Sequence, residues 1–313
     1  MAILISKEET RKLIDMPRAL KVVEGIFQDR AAGKVRSLPR RRLPASGKQL
    51  NVMAAWQADW DLLCLRAYAG RANTITLYNG RTGAIRAVMN AAYLSSLRTG
   101  AASGVAAKYL APPQGDVLGL IGPGWQAQFQ LEAIVRSCRI RQVLVFGRDP
   151  GKRRAFIREM GKAIPLDFQE RGSVEEIEEQ SDILVLATDS TSPVIDGRGM
   201  KDEVLIISMG ANQRAKHEVS GELIRRMDLI VTDDLPTARN DSGDLIAACE
   251  AGILRWEDVV PLEKTVADGR PQDRPKRIFF QSNGIADEDL AVARYVFEQV
   301  WRRKRKVRKV SEI

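Results

Sequence analysis

The chain has 313 residues, of which 44% are hydrophobic and 28% are charged, and this length suits two domains better than one small core. The balance is typical of globular proteins and argues against a disordered tail, a fibrous repeat or a disulfide-stapled miniprotein. Three widely spaced cysteines and a single histidine argue against disulfides and a zinc site. Such sparse cysteine usage suits the reducing cytoplasm.

The net charge of +9 comes largely from the carboxyl-terminal segment 302–309, which holds seven basic residues. A basic segment can bind nucleic acid or an acidic membrane surface, but no nucleic-acid motif accompanies this one. We therefore expect a solvated helix end and no nucleic-acid partner. No run of about 18 apolar residues occurs, and the first residues are charged, so we expect neither a membrane-spanning helix nor a signal peptide.

The amino-terminal third contains one clear helix followed by short strands. Asp15 followed by Met-Pro predicts a helix start. The basic, proline-containing segment 33–48 predicts an exposed loop with short extended pieces. Apolar runs with Asn-Gly and Arg-Thr-Gly turns between residues 50 and 92 indicate antiparallel strands. Trp56 and Trp60 are interpreted as a helical core pair, with the wall of a substrate pocket as the alternative.

Beyond Pro112-Pro113 the pattern changes to alternating strands and helices. Six apolar runs occur in this part of the chain: DVLGLIG, RQVLVFG, SDILVLAT, EVLIISMG, MDLIVTDD and RIFFQSNG. Continuous apolar runs that alternate with helices indicate a parallel sheet covered on both faces. A last helix, from about Asp287 to Arg305, follows the final run.

The strongest single motif is GxGxxA at the end of the first of these runs. Gly122 permits a tight turn, Gly124 lets the backbone approach a pyrophosphate, and Ala127 allows close packing of helix and strand. The N–H groups at the helix start, with Trp125 and Gln126, would then face the phosphates. The motif in this strand–loop–helix context predicts a Rossmann-type dinucleotide-binding domain.

The end of the second run bears on the choice between NAD and NADP. Gly147 stands where an acidic residue would bind the ribose 2′-hydroxyl, and Arg148 follows it. Arg148, helped by Lys152 or Arg153, could grip a 2′-phosphate. Asp149 is better interpreted as a helix cap. We expect NADPH or NADP+ as cofactor, with NADH less favoured.

Several motifs in a fixed order resemble one family. Residues 97–103 (LRTGAAS) precede AKYLAPP and the IGPGWQAQ loop, and SDILVLAT, ISMGAN and FQSNGIADEDLAVARYV follow. This order resembles the ornithine cyclodeaminase/mu-crystallin family over nearly the whole chain. The resemblance implies a homodimer with an α/β fold. Its two domains would be a Rossmann-type doubly wound parallel sheet at residues 114–286, and an α+β substrate-binding and dimerisation domain at 1–113, completed by the carboxyl-terminal helix at 287–313.

The resemblance also implies site residues. Arg98 would bind a substrate carboxylate, which suits the planar fork of arginine, and Arg40 would be a second substrate arginine. Thr99 would lie near the cofactor phosphates. The remaining cofactor positions are strand ends that line the dinucleotide, Ala187, Thr188, Met209 and Gly210, and positions near the nicotinamide, Ser282 and Gly284.

Two catalytic positions depart from the family pattern. Arg66 stands where the family usually has a lysine, and arginine effectively cannot lose its proton, so a general-base role is implausible. Asn212 stands where cyclodeaminases carry an aspartate, and an amide can orient a group but cannot take its proton.

The leading hypothesis is therefore an NADPH-dependent oxidoreductase that transfers hydride to the C=N carbon of a small imine or ketimine carboxylate. An amino-acid dehydrogenase acting on an open-chain oxo acid and an amine is also compatible. One alternative is an ornithine cyclodeaminase that uses NAD, which the loss of the aspartate at Asn212 argues against. A second is a non-catalytic NADPH-binding protein of crystallin type.

Overall fold

The computed structural model describes residues 2–270 and 272–310, with side chains up to Arg303. Most side chains of the basic segment 302–309 therefore lie outside the described part. The chain divides into two compact units, one of residues up to Arg98 together with those from Ile285 onward, and one of Thr99–Gly284. The division falls inside a helix, earlier than the boundary expected after Pro113. No described helix is long and apolar enough to cross a membrane.

Strands and helices follow one another in two patterns. The strands are β1 (Ile3–Ile5), β2 (Val35–Ala45), β3 (Lys48–Gln57), β4 (Leu62–Ala69), β5 (Ala72–Asn79), β6 (Ile85–Asn90), β7 (Val117–Ile121), β8 (Gln142–Phe146), β9 (Asp167–Glu170), β10 (Ile183–Leu186), β11 (Thr191–Ile195), β12 (Val204–Ser208), β13 (His217–Val219), β14 (Leu229–Thr232), β15 (Val259–Pro261) and β16 (Arg277–Gln281). The helices are α1 (Lys7–Leu13), α2 (Met16–Ala31), α3 (Ala92–Leu110), α4 (Trp125–Ser137), α5 (Pro150–Ala163), α6 (Val174–Gln180), α7 (Gly221–Arg225), α8 (Leu235–Asp241), α9 (Gly243–Glu250), α10 (Leu262–Asp268) and α11 (Ala286–Val310).

The first unit is a six-stranded sheet with helices α2 and α11 on one face. Its order is β1-β6-β5-β4-β3-β2, antiparallel except for the β1–β6 pair. The inward side chains Met53, Cys64 and Ile75 are buried, as period-2 alternation requires. The predicted start of α2 is confirmed, because the side chain of Asp15 accepts from Arg18 N.

Two expectations for this unit are wrong. Most of the predicted loop at 33–48 is β2, which pairs with β3 in a long antiparallel hairpin. Pro39 and Pro44 disguise this strand, but β2 is an edge strand, where a missing N–H is tolerated. Trp56 lies on β3 and Trp60 in the following turn, so they are not a helical pair.

The outer face of the same sheet is apolar and partly exposed. The strand register aligns one row across all six strands: Leu4, Val88, Thr76, Leu65, Ala54 and Leu38. Leu4 is 79% exposed and Leu38 is 66% exposed. An exposed, mostly apolar row of this kind is typical of interaction surfaces.

The second unit is the predicted parallel sheet with helices, and the fold class is confirmed. Eight strands run in the order β15-β14-β16-β12-β10-β7-β8-β9, all parallel, so β9 and β15 extend the six predicted runs. The central strands are fully buried, as continuous apolar runs require. The strand order reverses beside β7, and in this fold class ligands bind at the carboxyl ends of the strands on either side.

Candidate active site

The glycine loop after β7 brings its backbone to the edge of the sheet. Gly122 has φ +92°, and a Cβ there would lie 2.6 Å from the carbonyl oxygen of Ala187, so only glycine fits without strain. A Cβ on Gly124, the N-cap of α4, would meet open space. Ala127 is fully buried, as predicted for close helix packing. The loop therefore leaves space beside its backbone at Gly124, although the N–H groups of Gly122 and Gly124 donate within the protein, to the carbonyls of Phe146 and Gly122.

A cavity of about 520 Å³ opens in front of this loop. It is bounded by the glycine loop and by the residues that follow β8 and β10. The predicted cofactor residues that line it are Gly122, Gly124, Gly147, Arg148, Lys152, Ala187 and Thr188. Those that do not border it are Thr99, Trp125, Gln126, Ala127, Arg153, Met209, Gly210, Ser282 and Gly284. The volume is within the range of small-molecule sites, and the glycine backbone leaves room for phosphates, so a dinucleotide fits here.

The cations at this cavity differ in their freedom. The side chains of Arg148 and Lys152 make no ion pair or hydrogen bond with any described residue. Arg153, by contrast, donates to Glu170 at 2.6 Å and to the carbonyl of Gly147. The guanidinium of Arg153 is thus held by Glu170 and Gly147, whereas Arg148 and Lys152 face the cavity.

An acidic residue is absent from the predicted ribose position for a steric reason. A Cβ on Gly147 would lie 2.5 Å from Cδ of Pro123 in the glycine loop. Asp149, the nearest carboxylate along the chain, caps α5 as predicted and accepts from the backbone N–H groups of Lys152 and Gly151. These bonds lower the pKa of Asp149.

Glu218 is a buried carboxylate that joins two strand ends beside the cavity. One oxygen accepts from N and Oγ1 of Thr188, at 2.6 and 2.7 Å. The other accepts from Ser208 Oγ and Gly210 N, at 2.8 and 2.7 Å. A Cβ on Gly210 would lie 2.1 Å from the carbonyl of Thr188, so the loops after β10 and β12 approach as closely as glycine allows.

A second carboxylate, Asp244, lies behind Glu218. It accepts from the backbone N–H of Glu218 at 3.1 Å, and its Oδ1 lies 3.4 Å from Nδ1 of His217. Burial, reinforced by the charge of Glu218, raises the pKa of Asp244 to about 8. Burial also raises the pKa of Glu218, against the hydrogen bonds from Thr188. The pair therefore retains a proton near neutral pH.

The turn after β16 is held by another carboxylate. Asp233 accepts from the backbone N–H groups of Asn283 and Gly284, at 2.7 and 2.6 Å. Burial raises the pKa of Asp233 to about 6. The buried hydroxyl of Ser282 in the same turn has no hydrogen-bond partner among the described residues. The turn is thus held by two hydrogen bonds to Asp233 and contains the buried hydroxyl of Ser282.

Thr99 and Gly100 fix the second-unit part of α3 against α4. The carbonyl of Thr99 accepts from Nε2 of Gln130, and a Cβ on Gly100 would lie 2.4 Å from the carbonyl of Phe129. Gly100 is therefore required by close helix packing. Asn212, in the loop after β12, donates through Nδ2 to the carbonyl of Met209 at 3.3 Å, which ties the amide to its own loop.

In the first unit, Arg98 is buried among carboxylates at the start of α11. Its Nη1 donates to Glu288 at 2.8 Å and its Nε donates to Asp289 at 3.1 Å. Burial would lower the pKa of Arg98, but Asp289 and Glu288 outweigh it and raise the pKa. Nη2 makes no hydrogen bond with a described residue, so one edge of the guanidinium keeps donors for a further anion.

Arg66 and Arg98 share Asp289, but the three guanidinium nitrogens of Arg66 all have partners. Nη1 donates to both oxygens of Asp289 at 3.1 Å, Nη2 to Ser95 Oγ at 2.6 Å, and Nε to Asn73 Oδ1 at 3.3 Å. Burial lowers the pKa of Arg66, against the charge of Asp289. Arg66 therefore acts here as a cross-link between β4, α3 and α11.

Two further arginines lie in the first unit. Arg30 of α2 pairs with the buried Asp287, which completes a row of three buried acids at the start of α11. Arg40, the second predicted substrate arginine, is buried on β2 at an irregularity of its pairing with β3. The acidic triplet Asp287, Glu288 and Asp289 is not among the predicted site residues, although acids in a first helical turn are a recognised signal.

Known proteins match this architecture over almost its full length. An alanine dehydrogenase of Archaeoglobus fulgidus is 33% identical over 315 residues, which covers 95% of this chain and 94% of the relative. The structure of Thermococcus litoralis Δ1-pyrroline-2-carboxylate reductase with NADH and L-proline has a TM-score of 0.91 at 29% identity, covering 96% of this chain and 98% of that one. An archaeal alanine dehydrogenase dimer with bound NAD has a TM-score of 0.89 at 29% identity, covering 97% of each chain.

The resemblance of the ordered motifs is confirmed at the level of the family. The sequence model of the ornithine cyclodeaminase/mu-crystallin family matches residues 2–304. The chain therefore belongs to the ornithine cyclodeaminase/mu-crystallin family.

Proposed function

We propose that this chain is an NADPH-dependent reductase of a small imine or ketimine carboxylate. The predicted enzyme class, an oxidoreductase acting on C=N or CH–NH groups, is confirmed by the relatives, which bear names of that class. The observation that carries the proposed substrate class is the buried Arg98, whose guanidinium is oriented by two carboxylates and keeps one edge for an anion.

The carboxylate of the substrate would bind Arg98 at that remaining edge. Glu288 and Asp289 hold Nη1 and Nε, so the guanidinium plane is fixed before the substrate arrives. Arg40 would be a second cation for the substrate, and Asn212 would orient its nitrogen. Arg66 would act on the substrate indirectly, by holding Asp289 in place. A five- or six-membered cyclic ketimine carboxylate is the preferred substrate.

The bound cofactor supplies hydride, and the cavity favours NADPH as its source. The glycine loop would hold the pyrophosphate, while Arg148 and Lys152 are two cavity-facing cations without partners in the described chain. Two such cations suit a 2′-phosphate, and Gly147 offers no carboxylate for a ribose 2′-hydroxyl. The structures compared above hold NADH or NAD, so we infer a preference in which this chain differs from them.

Initial rates of NADPH and NADH oxidation test this proposal directly. The substrates would be Δ1-pyrroline-2-carboxylate and Δ1-piperideine-2-carboxylate, with pyruvate plus ammonia as the open-chain comparison. We expect turnover of a cyclic ketimine with NADPH at least tenfold above NADH in kcat/KM. Arg148→Ala should remove most of that preference. The control Arg154→Ala, which changes an exposed arginine on α5, should keep it.

Two results would overturn the proposal. Release of ammonia from ornithine without net oxidation of NADPH would indicate the cyclodeaminase reaction instead. Tight NADPH binding without turnover of any of these substrates would indicate a binding protein.

The outer face of the six-stranded sheet is the proposed homodimer interface. Its apolar row ends in Leu4 and Leu38, which are largely exposed, and one relative is a dimer. Leu38→Asp should halve the mass measured by light scattering, because a charge in an apolar interface costs desolvation. Arg71→Asp, in the exposed turn after β4, should leave the mass unchanged. A wild-type chain that is monomeric at micromolar concentration would contradict the interface.

A further inference from the structure

The proposed reduction needs a proton as well as a hydride, and the residues around Arg98 limit where it can come from. Arg98 and Arg66 are cations that do not give up a proton at ordinary pH. Glu288 and Asp289 act as hydrogen-bond acceptors toward these arginines.

Tyr68 is a nearby side chain that carries an acidic O–H group. It lies on β4 two residues after Arg66, so both side chains are on the same face of the sheet. Its ring covers the guanidinium of Arg66, with Cζ 4.7 Å from the ring centroid. The hydroxyl of this half-buried tyrosine makes no hydrogen bond with any residue in the described ranges.

The position of Tyr68 also relates it to the substrate arginine. A charge on its hydroxyl would act on both guanidinium groups, Arg66 and Arg98, which places the phenol within electrostatic range of the two. Two other phenols in this unit differ from Tyr68. Tyr93 donates to the carbonyl of Ile14, and Tyr78 lies on the outer face in register with Leu63.

We propose that Tyr68 is the general acid that protonates the imine nitrogen of the substrate held by Arg98. This assignment rests on the proposed reductase function. Hydride adds to the carbon of the C=N bond, the π electron pair moves to nitrogen, and the Tyr68 O–H bond breaks as nitrogen takes the proton. The product is the amine, and the phenolate regains a proton from water. Phenols are established general acids, and such a group contributes about 10²–10⁴ in rate.

Tyr68→Phe is the direct test, because the ring stays over Arg66 and only the hydroxyl is lost. We expect kcat with a cyclic ketimine carboxylate to fall about 100-fold, with the KM for NADPH unchanged. Tyr78→Phe makes the same change on the opposite face of the sheet and should keep full activity. The variant should also lose activity steeply above the pKa of the free imine, while the wild type keeps its rate.

A substrate with a fixed positive charge separates proton donation from a structural role. N-methyl-Δ1-pyrrolinium-2-carboxylate needs hydride but no proton, so Tyr68→Phe and the wild type should reduce it at equal rates. Full activity of Tyr68→Phe on the neutral imine would overturn the assignment, and so would an equal loss on both substrates. If the wild-type chain reduces neither substrate, the proposed function fails, which is a different result from a defect confined to Tyr68→Phe.

Discussion

The dinucleotide cavity and the arginine cluster are built in opposite ways. At the cavity the chain contributes mainly backbone, with Gly122, Gly124 and Gly147 clearing space for a ligand. At the cluster it contributes buried charge, with Arg98 and Arg66 held by acids about 190 and 220 residues further along the chain. The cavity depends on glycines, which have no side chain, and the cluster depends on charged side chains that are paired.

The two constructions differ in how they should fail. A cavity that depends on glycines loses ligand-binding space when a side chain replaces one of them. A buried ion-pair cluster is lost when one partner is removed, because the remaining charge is left without compensation. Substitutions in the two units should therefore affect different kinetic parameters.

The largest effect is expected for Arg98→Lys. Lysine keeps a positive charge near Glu288 and Asp289 but loses the planar guanidinium, so the substrate carboxylate loses the donors of Nη2. We expect kcat/KM for the ketimine to fall at least 1,000-fold and the Kd for NADPH to change less than threefold. The readouts are steady-state rates and NADPH fluorescence titration. A parallel loss of NADPH affinity would show that the two sites are not separable in this way.

Gly122→Ala should give the converse result with a smaller effect. The new Cβ meets the carbonyl of Ala187 at 2.6 Å on a backbone with φ +92°, a strain of about 1–3 kcal/mol. We expect NADPH to bind at least tenfold more weakly and the melting temperature to fall. Gly124→Ala is the matched control, since its Cβ enters open space, and it should weaken NADPH binding without lowering the melting temperature. Equal melting temperatures for the two variants would contradict the steric argument.

A further prediction concerns the pH dependence of folding stability. The pKa of Asp244 is raised to about 8 in the folded chain. Between about pH 4 and 8 the folded chain therefore keeps a proton that the unfolded chain has already released. The free energy of unfolding therefore falls as pH rises through that range, by at most about 1.4 kcal/mol per pH unit from this group. Asp244→Asn should flatten the dependence in urea unfolding at about pH 6 and about pH 8.5.

Asp149→Asn provides the control for the pH prediction. The pKa of Asp149 is lowered, so its contribution is present above the unfolded pKa and is lost only in acid. This variant should therefore keep the wild-type difference between the two pH values. If Asp244→Asn also keeps it, the Glu218–Asp244 pair does not hold the proton.

Local sequence predicted those features that depend on neighbouring residues. The glycine loop, the Asp149 cap and the start of α2 follow from short motifs whose partners lie within a few positions. The β2–β3 hairpin was missed because its prolines and cations obscure the alternation, and edge pairing with β3 decides it. The parallel strands were found because their apolar runs are continuous.

The carboxylates and Tyr68 could not be placed from sequence for a related reason. Glu218 and Asp233 look like ordinary acids at strand ends, and only the folded chain shows the N–H groups that converge on them. The role of Asp289 depends on Arg66 of β4 and Arg98 of α3, which are far from it in the sequence and contact it only in the folded chain. Tyr68 belongs to no sequence motif. It becomes a candidate only in the folded chain, where its hydroxyl has no partner among the described residues and its ring covers the buried Arg66.

The contact between Pro123 and the position of Gly147 has an evolutionary consequence. A Cβ at 147 would lie 2.5 Å from the proline ring, so a carboxylate cannot enter there while Pro123 remains. A carboxylate at position 147 would need the proline to change first, and the two substitutions would be strongly epistatic. The order of the two mutations, rather than the chemistry of either residue alone, would then decide whether a descendant of this chain can acquire a carboxylate at position 147.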